Sequence, residues 1–321
     1  MPNILLVVIA DPGAPYLAPL ASPPPGVSFV VTDNPEQLKA VIPQADAILY
    51  ASFSPVLPQI LPLAGRVRWI HVLWTGVDGV LIPEMLRHSA VLTNGRGVFR
   101  GPLADWVVAV MLYFAFDFRR VIRQQERRHW EPFIADTLKD HVLGIVGYGS
   151  IGSAVAARAR PFGMKIIASR RRPELFQGDS LVDQGYGPGR LKELMAESDY
   201  FLLVTPLTAE TRGMVGEAEI ASMKPTGILM NIARGPVLEE SALIHALETH
   251  RIRGAALDVF NTEPLPPEHP FWQMPNVLLS PHTADRVDGF LGPAIECFFE
   301  NLDRFIGAQP LRHVVDKNLG Y

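Results

Sequence analysis

Three observations predict an α/β fold made of two doubly wound parallel sheets. Short apolar runs of strand length alternate with longer mixed segments almost throughout the chain. These runs fall into two series, divided by a long apolar stretch, and a glycine-rich turn follows the first strand of the second series. Strand–helix alternation suits parallel sheets, because a parallel pair needs a crossover long enough to hold a helix. A length of 321 residues is about two domains.

The first series is Ile4–Ile9, Phe29–Val31, Ala47–Tyr50, Trp69–Leu73 and Val91–Leu92. Ile4–Ile9 lacks a basic start and runs into Asp11-Pro12-Gly13, so it reads as a strand rather than a secretory signal. Proline is frequent, 29 residues, and the cluster from Pro12 to Pro25 reads as a turn-rich loop. Phe99–Phe118 reads as a helix that is apolar on most faces, through Leu103, Val107, Val110, Met111 and Phe114. Such a helix must be buried, inside one domain or against a partner chain. The basic run Arg119, Arg120, Arg123, Arg127 and Arg128 reads as a solvated helix face. The second series is Val142–Val146, Lys165–Ala168, Tyr200–Val204, Gly227–Ile232, Gly254–Val259 and Val277–Leu279, with helix-length stretches such as Gly152–Phe162 and Glu239–Thr249 between them.

Composition narrows the function. Lys and Arg number 29 against 33 Asp and Glu, a net charge of −4. That weak acidity argues against a nucleic-acid partner or an anionic membrane surface. One cysteine, Cys297, excludes an intramolecular disulfide and a thiolate metal cluster, and no metal site is expected. No apolar run approaches the ~20 residues of a membrane span. A cytoplasmic setting follows as the expectation.

The sequence Gly147-Tyr-Gly149-Ser150-Ile151-Gly152 directly follows the strand Val142–Val146 and opens an Ala-rich, helix-forming segment. In a Rossmann dinucleotide-binding domain, each glycine of such a turn has a physical task. Gly147 permits the tight turn, Gly149 lets the backbone approach a pyrophosphate, and Gly152 lets helix and strand pack closely. The helix N-terminus then offers unpaired N–H groups to the phosphates. The next strand ends in Ser169-Arg170-Arg171-Arg172, with no Asp or Glu from Lys165 to Pro173. An NAD site wants an acidic acceptor there for the ribose 2′-hydroxyl. Guanidiniums beside a hydroxyl suit a 2′-phosphate instead, through charge-assisted bonds of about 1.5–3 kcal/mol each. NADP(H) is therefore the expected cofactor, with NAD(H) also accepted.

Polar residues recur at the ends of successive later strands. Asp258 lies 24 residues after Arg234, and His282 lies 24 residues after Asp258, each about one strand-plus-helix unit. Side chains at the carboxyl ends of neighbouring parallel strands line one crevice. Arg234 suits a substrate carboxylate and a polarised carbonyl. His282 suits proton donation to the carbonyl oxygen, and Glu263 suits pairing with His282 to orient its ring. One cation, one imidazole and one carboxylate are what reduction of a 2-oxo acid requires.

The motifs Leu143–Gly152, Thr205-Pro-Leu-Thr-Ala-Glu-Thr-Arg-Gly213, Met230-Asn-Ile-Ala-Arg-Gly235, Ala256-Leu-Asp-Val-Phe260 with Glu263-Pro-Leu265, and Ser280-Pro-His-Thr283 together resemble the D-isomer-specific 2-hydroxyacid dehydrogenase family. The likeness covers about Trp69 to Cys297, and the arginine-rich turn is similar to the NADP-preferring glyoxylate/hydroxypyruvate reductase branch. The resemblance implies catalysis by Arg234, Glu263 and His282. It also implies a substrate carboxylate held at Thr75, Gly76 and Val77, with Arg234 and His282. Cofactor contacts are implied at Thr205, Pro206, Thr211, Ile232, Ala233, Arg234, Asp258 and His282, besides the glycine turn, Ser169, Arg170 and Arg171. It implies a flavodoxin-like substrate domain of residues 1–95 plus 286–321, a Rossmann domain of residues 96–285 and an active site in the cleft between them. It further implies a homodimer acting on a small 2-oxo or 2-hydroxy acid. Phe53, Trp74, Arg96, Arg100 and Phe290 are candidate pocket-lining residues. Two positions depart from the family pattern: Asp285 stands where Gly is frequent, and Asp105-Trp106 where Glu precedes His or Tyr. The alternatives are a dehydrogenase of another small anion, such as formate or phosphite, and a nucleotide-sensing, corepressor-like binding protein. Formate oxidation needs no carbonyl protonation, so the Arg, Glu and His set argues against that case.

Overall fold

The computed structural model describes residues 3–321. The chain divides into two units, Met1–Phe99 with Val287–Tyr321, and Arg100–Arg286. Phe99 belongs to the first unit, where its ring lies against Trp74 and Phe290.

The first unit holds a five-stranded parallel sheet. Its strands are β1 (Ile4–Ile9), β2 (Val27–Val31), β3 (Ala47–Tyr50), β4 (Trp69–Val72) and β5 (Val91–Asn94), in the order β2-β1-β3-β4-β5. β3 and β4 are buried along their whole length, as a parallel sheet covered on both faces requires. Val7, Ile9, Ile48, Ile70 and Val72 share one core with Leu38, Ile42 and Ile60. From β4, Trp69 stacks on Phe298 of the C-terminal helix Gly292–Ile306, with ring centroids 5.5 Å apart. The end of the chain thus returns to the sheet its beginning builds. The proline cluster, expected to be loop, contains a 3-10 helix at Pro15–Ala21 with Leu17 and Leu20 buried.

The second unit holds seven parallel strands: β6 (Val142–Val146), β7 (Lys165–Ser169), β8 (Gln184–Tyr186), β9 (Tyr200–Leu203), β10 (Ile228–Asn231), β11 (Gly254–Leu257) and β12 (Val277–Leu279). Their order is β12-β11-β10-β9-β6-β7-β8. The order reverses between β6 and β9, and the crevice at such a switch point is where doubly wound sheets bind ligands. β8, a three-residue edge strand reading Gln-Gly-Tyr, carries no apolar run and is absent from the sequence-based expectation.

The single helix expected over Phe99–Phe118 is two helices, Arg100–Ala115 and Phe118–Arg127, bent by 60°. Asp117 sits between them in the left-handed region (φ 48°) and caps the second helix through Arg120 N. Ala104, Val107, Val110, Met111 and Phe114 are buried in the unit's own core, whereas Leu103, Trp106, Val108, Leu112 and Tyr113 are half-buried. Arg119 is not a solvated residue: it donates to Met274 O and Val277 O at 3.1 and 3.0 Å. Among the described residues no single helix is long and apolar enough to cross a membrane.

Candidate active site

The glycine turn after β6 is built on close approach. Gly147 has φ +101°, and a Cβ there would lie 2.6 Å from Thr205 N and Val204 C. The turn therefore touches the chain leaving β9, across the switch point. A Cβ on Gly152 would lie 3.1 Å from Gly147 O and Ile145 Cγ2, so helix and strand meet there. On Gly149 a Cβ would meet nothing nearer than Gly147 O at 4.0 Å, which leaves this face of the turn open. The helix Ser150–Ala159 begins at Gly149 without a side-chain cap. Its first N–H groups, around Ser150, Ile151 and Gly152, are suited to a pyrophosphate. These residues fit a dinucleotide.

At the end of β7, Ser169 O accepts hydrogen bonds from Gly147 N and Tyr148 N at 3.1 and 3.0 Å. Arg170 lies over the rings of Phe176 (5.4 Å) and Tyr148 (6.0 Å) and donates to Leu175 O. Arg171 pairs with Glu210. In the turn after β9, the Thr211 hydroxyl donates to Pro206 O at 2.6 Å and accepts from Thr208 N at 2.8 Å. The Thr211 hydroxyl therefore shapes the Thr205–Arg212 turn from within.

Arg234, Glu263 and His282 all follow the carboxyl ends of β10, β11 and β12. Behind Arg234, Asn231 accepts from Ala233 N (2.9 Å) and donates to Arg234 O (3.1 Å), which sets the turn. Arg234 Nη1 itself donates to Ala233 O at 2.8 Å. Ile232 and Ala233 are buried. Gly235 is pressed against the backbone of Phe260, where a Cβ would collide. That contact joins the arginine turn to the segment carrying Glu263.

Glu263 divides its two oxygens. Oε1 accepts from Phe260 N at 2.9 Å, and Oε2 lies 2.7 Å from His282 Nδ1. A carboxylate only accepts, so Nδ1 donates and Nε2 is left as the nitrogen that can exchange a proton with a substrate. His282 and Glu263 side chains are 42% and 36% exposed, accessible to a ligand.

Asp258, directly after β11, has a second role besides the one expected for it. It is 2% exposed. Its Oδ1 accepts from Ser280 Oγ (2.6 Å), Thr283 N (2.9 Å) and Ala284 N (3.1 Å). Its backbone O accepts from His282 N at 2.9 Å. Asp258 thus anchors the whole 280–284 loop. Burial pushes its carboxyl above the usual range, while those donors pull the other way. Sequence reading missed this anchoring role of Asp258 and Ser280, and the capping of Phe260 N by Glu263. The short spacings Phe260–Glu263 and Ser280–Ala284 were the available signals.

In the first unit, Asn94 Nδ2 donates to Thr75 O (2.6 Å), Thr75 Oγ1 to Gly95 O (2.9 Å), and Gly95 N to Trp74 O (3.0 Å). These bonds pin the loop after β4. Among the described residues, the N–H groups of Thr75, Gly76 and Val77 donate to no other backbone group. Three consecutive N–H groups left in this state suit an anion. Phe53 stacks on Trp74 with centroids 4.8 Å apart. Arg96 is exposed at the end of β5, and Arg100 is exposed at the start of the second unit's first helix. Asp105, at one family departure, pairs with Arg158.

A doubly wound sheet with a glycine turn at its switch point, and a carboxylate-oriented imidazole beyond the same strand ends, defines a nicotinamide-dinucleotide-dependent oxidoreductase. The family description "D-isomer specific 2-hydroxyacid dehydrogenase, NAD binding domain" matches residues 108–284. The glyoxylate reductase of Korarchaeum cryptofilum is 34% identical over 283 residues, 85% of this chain and 84% of that one. Glyoxylate/hydroxypyruvate reductase B of Serratia proteamaculans is 33% identical over 281 residues, 84% of each chain. A D-isomer specific 2-hydroxyacid dehydrogenase from Xanthobacter autotrophicus, solved with NADPH and MES, superposes with a TM-score of 0.86 at 26% identity, covering 100% of both chains. The chain belongs to the D-isomer specific 2-hydroxyacid dehydrogenase family.

Proposed function

We propose that the protein is an NADP(H)-preferring reductase of small 2-oxo acids of the glyoxylate and hydroxypyruvate type, yielding the D-2-hydroxy acid. The observation that carries this reading is the His282–Glu263 pair, 2.7 Å apart, on a loop anchored by Asp258 beyond the same strand ends as the glycine turn. The reduced dinucleotide, when bound, supplies the hydride. Gly147, Gly149, Ser150, Ile151 and Gly152 hold its pyrophosphate. Ser169 and Arg171 recognise the 2′-phosphate, with Arg170 packing the turn, and NAD(H) is accepted less well. Thr205, Pro206, Ile232 and Ala233 contact its nicotinamide half, and Thr211 supports them through the turn. Arg234 binds the substrate carboxylate and polarises the carbonyl. The N–H groups of Thr75, Gly76 and Val77 suit a carboxylate as well, which supports the five-stranded unit as the substrate domain. As the carbonyl carbon gains the hydride, His282 Nε2 gives its proton to the carbonyl oxygen.

The reading includes a homodimer in the cytoplasm. Exposed apolar side chains gather between residues 116 and 134, with Trp130 94% and Ile134 99% exposed, and a second copy would cover them. Cys297, buried and unpaired, is in keeping with a reducing compartment.

The test is a matrix of NADPH and NADH against glyoxylate, hydroxypyruvate, pyruvate and branched or aromatic 2-oxo acids, following loss of reduced-nicotinamide absorbance. Turnover of the small acids with NADPH is the expected result. No turnover of any 2-oxo acid with either cofactor would reject the reading.

A further inference from the structure

We propose that Glu210 sets how strongly this chain prefers the 2′-phosphorylated dinucleotide, by holding Arg171 in an ion pair that the phosphate must take over. The inference rests on the NADP(H) reading above.

The guanidiniums after β7 are not equivalent. Arg170 lies over two aromatic rings and is tied to Leu175 O, so it belongs to the packing of its own loop. Arg171 instead reaches to Glu210, 39 residues further on, in the turn after β9. The two side chains are 40% and 72% exposed. A pair this exposed is weak and exchangeable. A phosphate offers a guanidinium nearly two charges and a matching pair of oxygens, so it can displace the carboxylate.

Glu210 does not leave with the exchange. Its turn is held by the Thr211 hydroxyl, bonded to Pro206 O and Thr208 N. A negative charge therefore stays beside the phosphate and opposes it. A ribose 2′-hydroxyl carries no charge and leaves the Arg171–Glu210 pair as it is. Glu210 thus weakens NADPH binding and spares NADH binding. The turn that contacts one end of the cofactor tempers selection at the other.

The experiment titrates NADPH and NADH, by reduced-nicotinamide fluorescence at fixed ionic strength, into the wild-type protein, Glu210→Gln, Arg171→Ala and the double variant. Glu210→Gln is isosteric at an exposed position, so the fold is retained. The expected result is NADPH binding roughly threefold to tenfold tighter in Glu210→Gln, with NADH changed less than about twofold and a smaller gain when Arg171 is absent. Unchanged or weaker NADPH binding in Glu210→Gln, or an equal gain for both cofactors, overturns the inference. The cofactor reading still stands in that event if Arg171→Ala weakens NADPH alone. If Arg171→Ala leaves both cofactors unchanged or weakens both equally, the cofactor reading and the inference fall together.

Discussion

His282 occupies the left-handed region with φ 52°, a conformation uncommon for a residue with a Cβ. It is kept there by bonds from neighbouring atoms: its N–H to Asp258 O and the flanking amides to the Asp258 carboxylate. His282→Ala should lower kcat by roughly 10²–10⁴-fold and leave NADPH affinity nearly unchanged; a near-normal rate would remove His282 from proton transfer. A second histidine answers to pH through stability. His71 is fully buried in β4, its Nδ1 2.8 Å from Thr93 Oγ1. Burial holds its pKa down to about 3, and charge on His313 adds to the effect. The unfolded chain takes up a proton near pH 6.5 that the folded chain refuses until about pH 3. The unfolded state therefore binds more protons in that window, so stability falls as pH drops through it, by up to a few kcal/mol. Urea midpoints at about pH 7.5 and about pH 5 should differ more for the wild-type protein than for His71→Gln. Equal differences would count against the assignment.

The glycines separate folding from ligand approach. Gly235 presses on Phe260, and Phe260 N in turn holds Glu263. Gly235→Ala should cost about 1–3 kcal/mol of stability, as overpacking does, and lower kcat because Arg234 and Glu263 shift together. Gly149 faces open space and has φ −113°, which alanine tolerates. Gly149→Ala should keep the thermal midpoint and weaken dinucleotide binding. Paired measurements of Tm and NADPH Kd decide the contrast; a large loss of Tm in Gly149→Ala would contradict it. Strands with dense apolar runs, such as Val142–Val146, were legible from the residues alone. β8 was not, because Gln184-Gly185-Tyr186 becomes a strand only by pairing with β7. The break at Asp117 was hidden likewise: the apolar pattern runs on through Phe116 and Phe118, and a single left-handed residue redirects the chain.

The proposed assembly makes a prediction for the molecule as a whole. Light scattering should give twice the 35.4 kDa chain mass, and Trp130→Glu combined with Ile134→Glu should shift it toward the monomer. A wild-type monomer at assay concentration would refute the dimer.

Composition and motif order by themselves determined the two parallel sheets, the glycine turn after β6 and the choice of Arg234, Glu263 and His282 as the candidate site. Each of these is written locally, in strand periodicity, glycine spacing and the residues that end each strand. Only the tertiary structure decided that Asp258 is buried as the anchor of the histidine loop, that Nδ1 of His282 faces Glu263, and that Arg170 and Arg171 have separate partners. Those facts depend on hydrogen bonds and ion pairs between residues up to 39 positions apart. Such contacts exist only once the sheet has brought its strand ends together, so no local pattern records them.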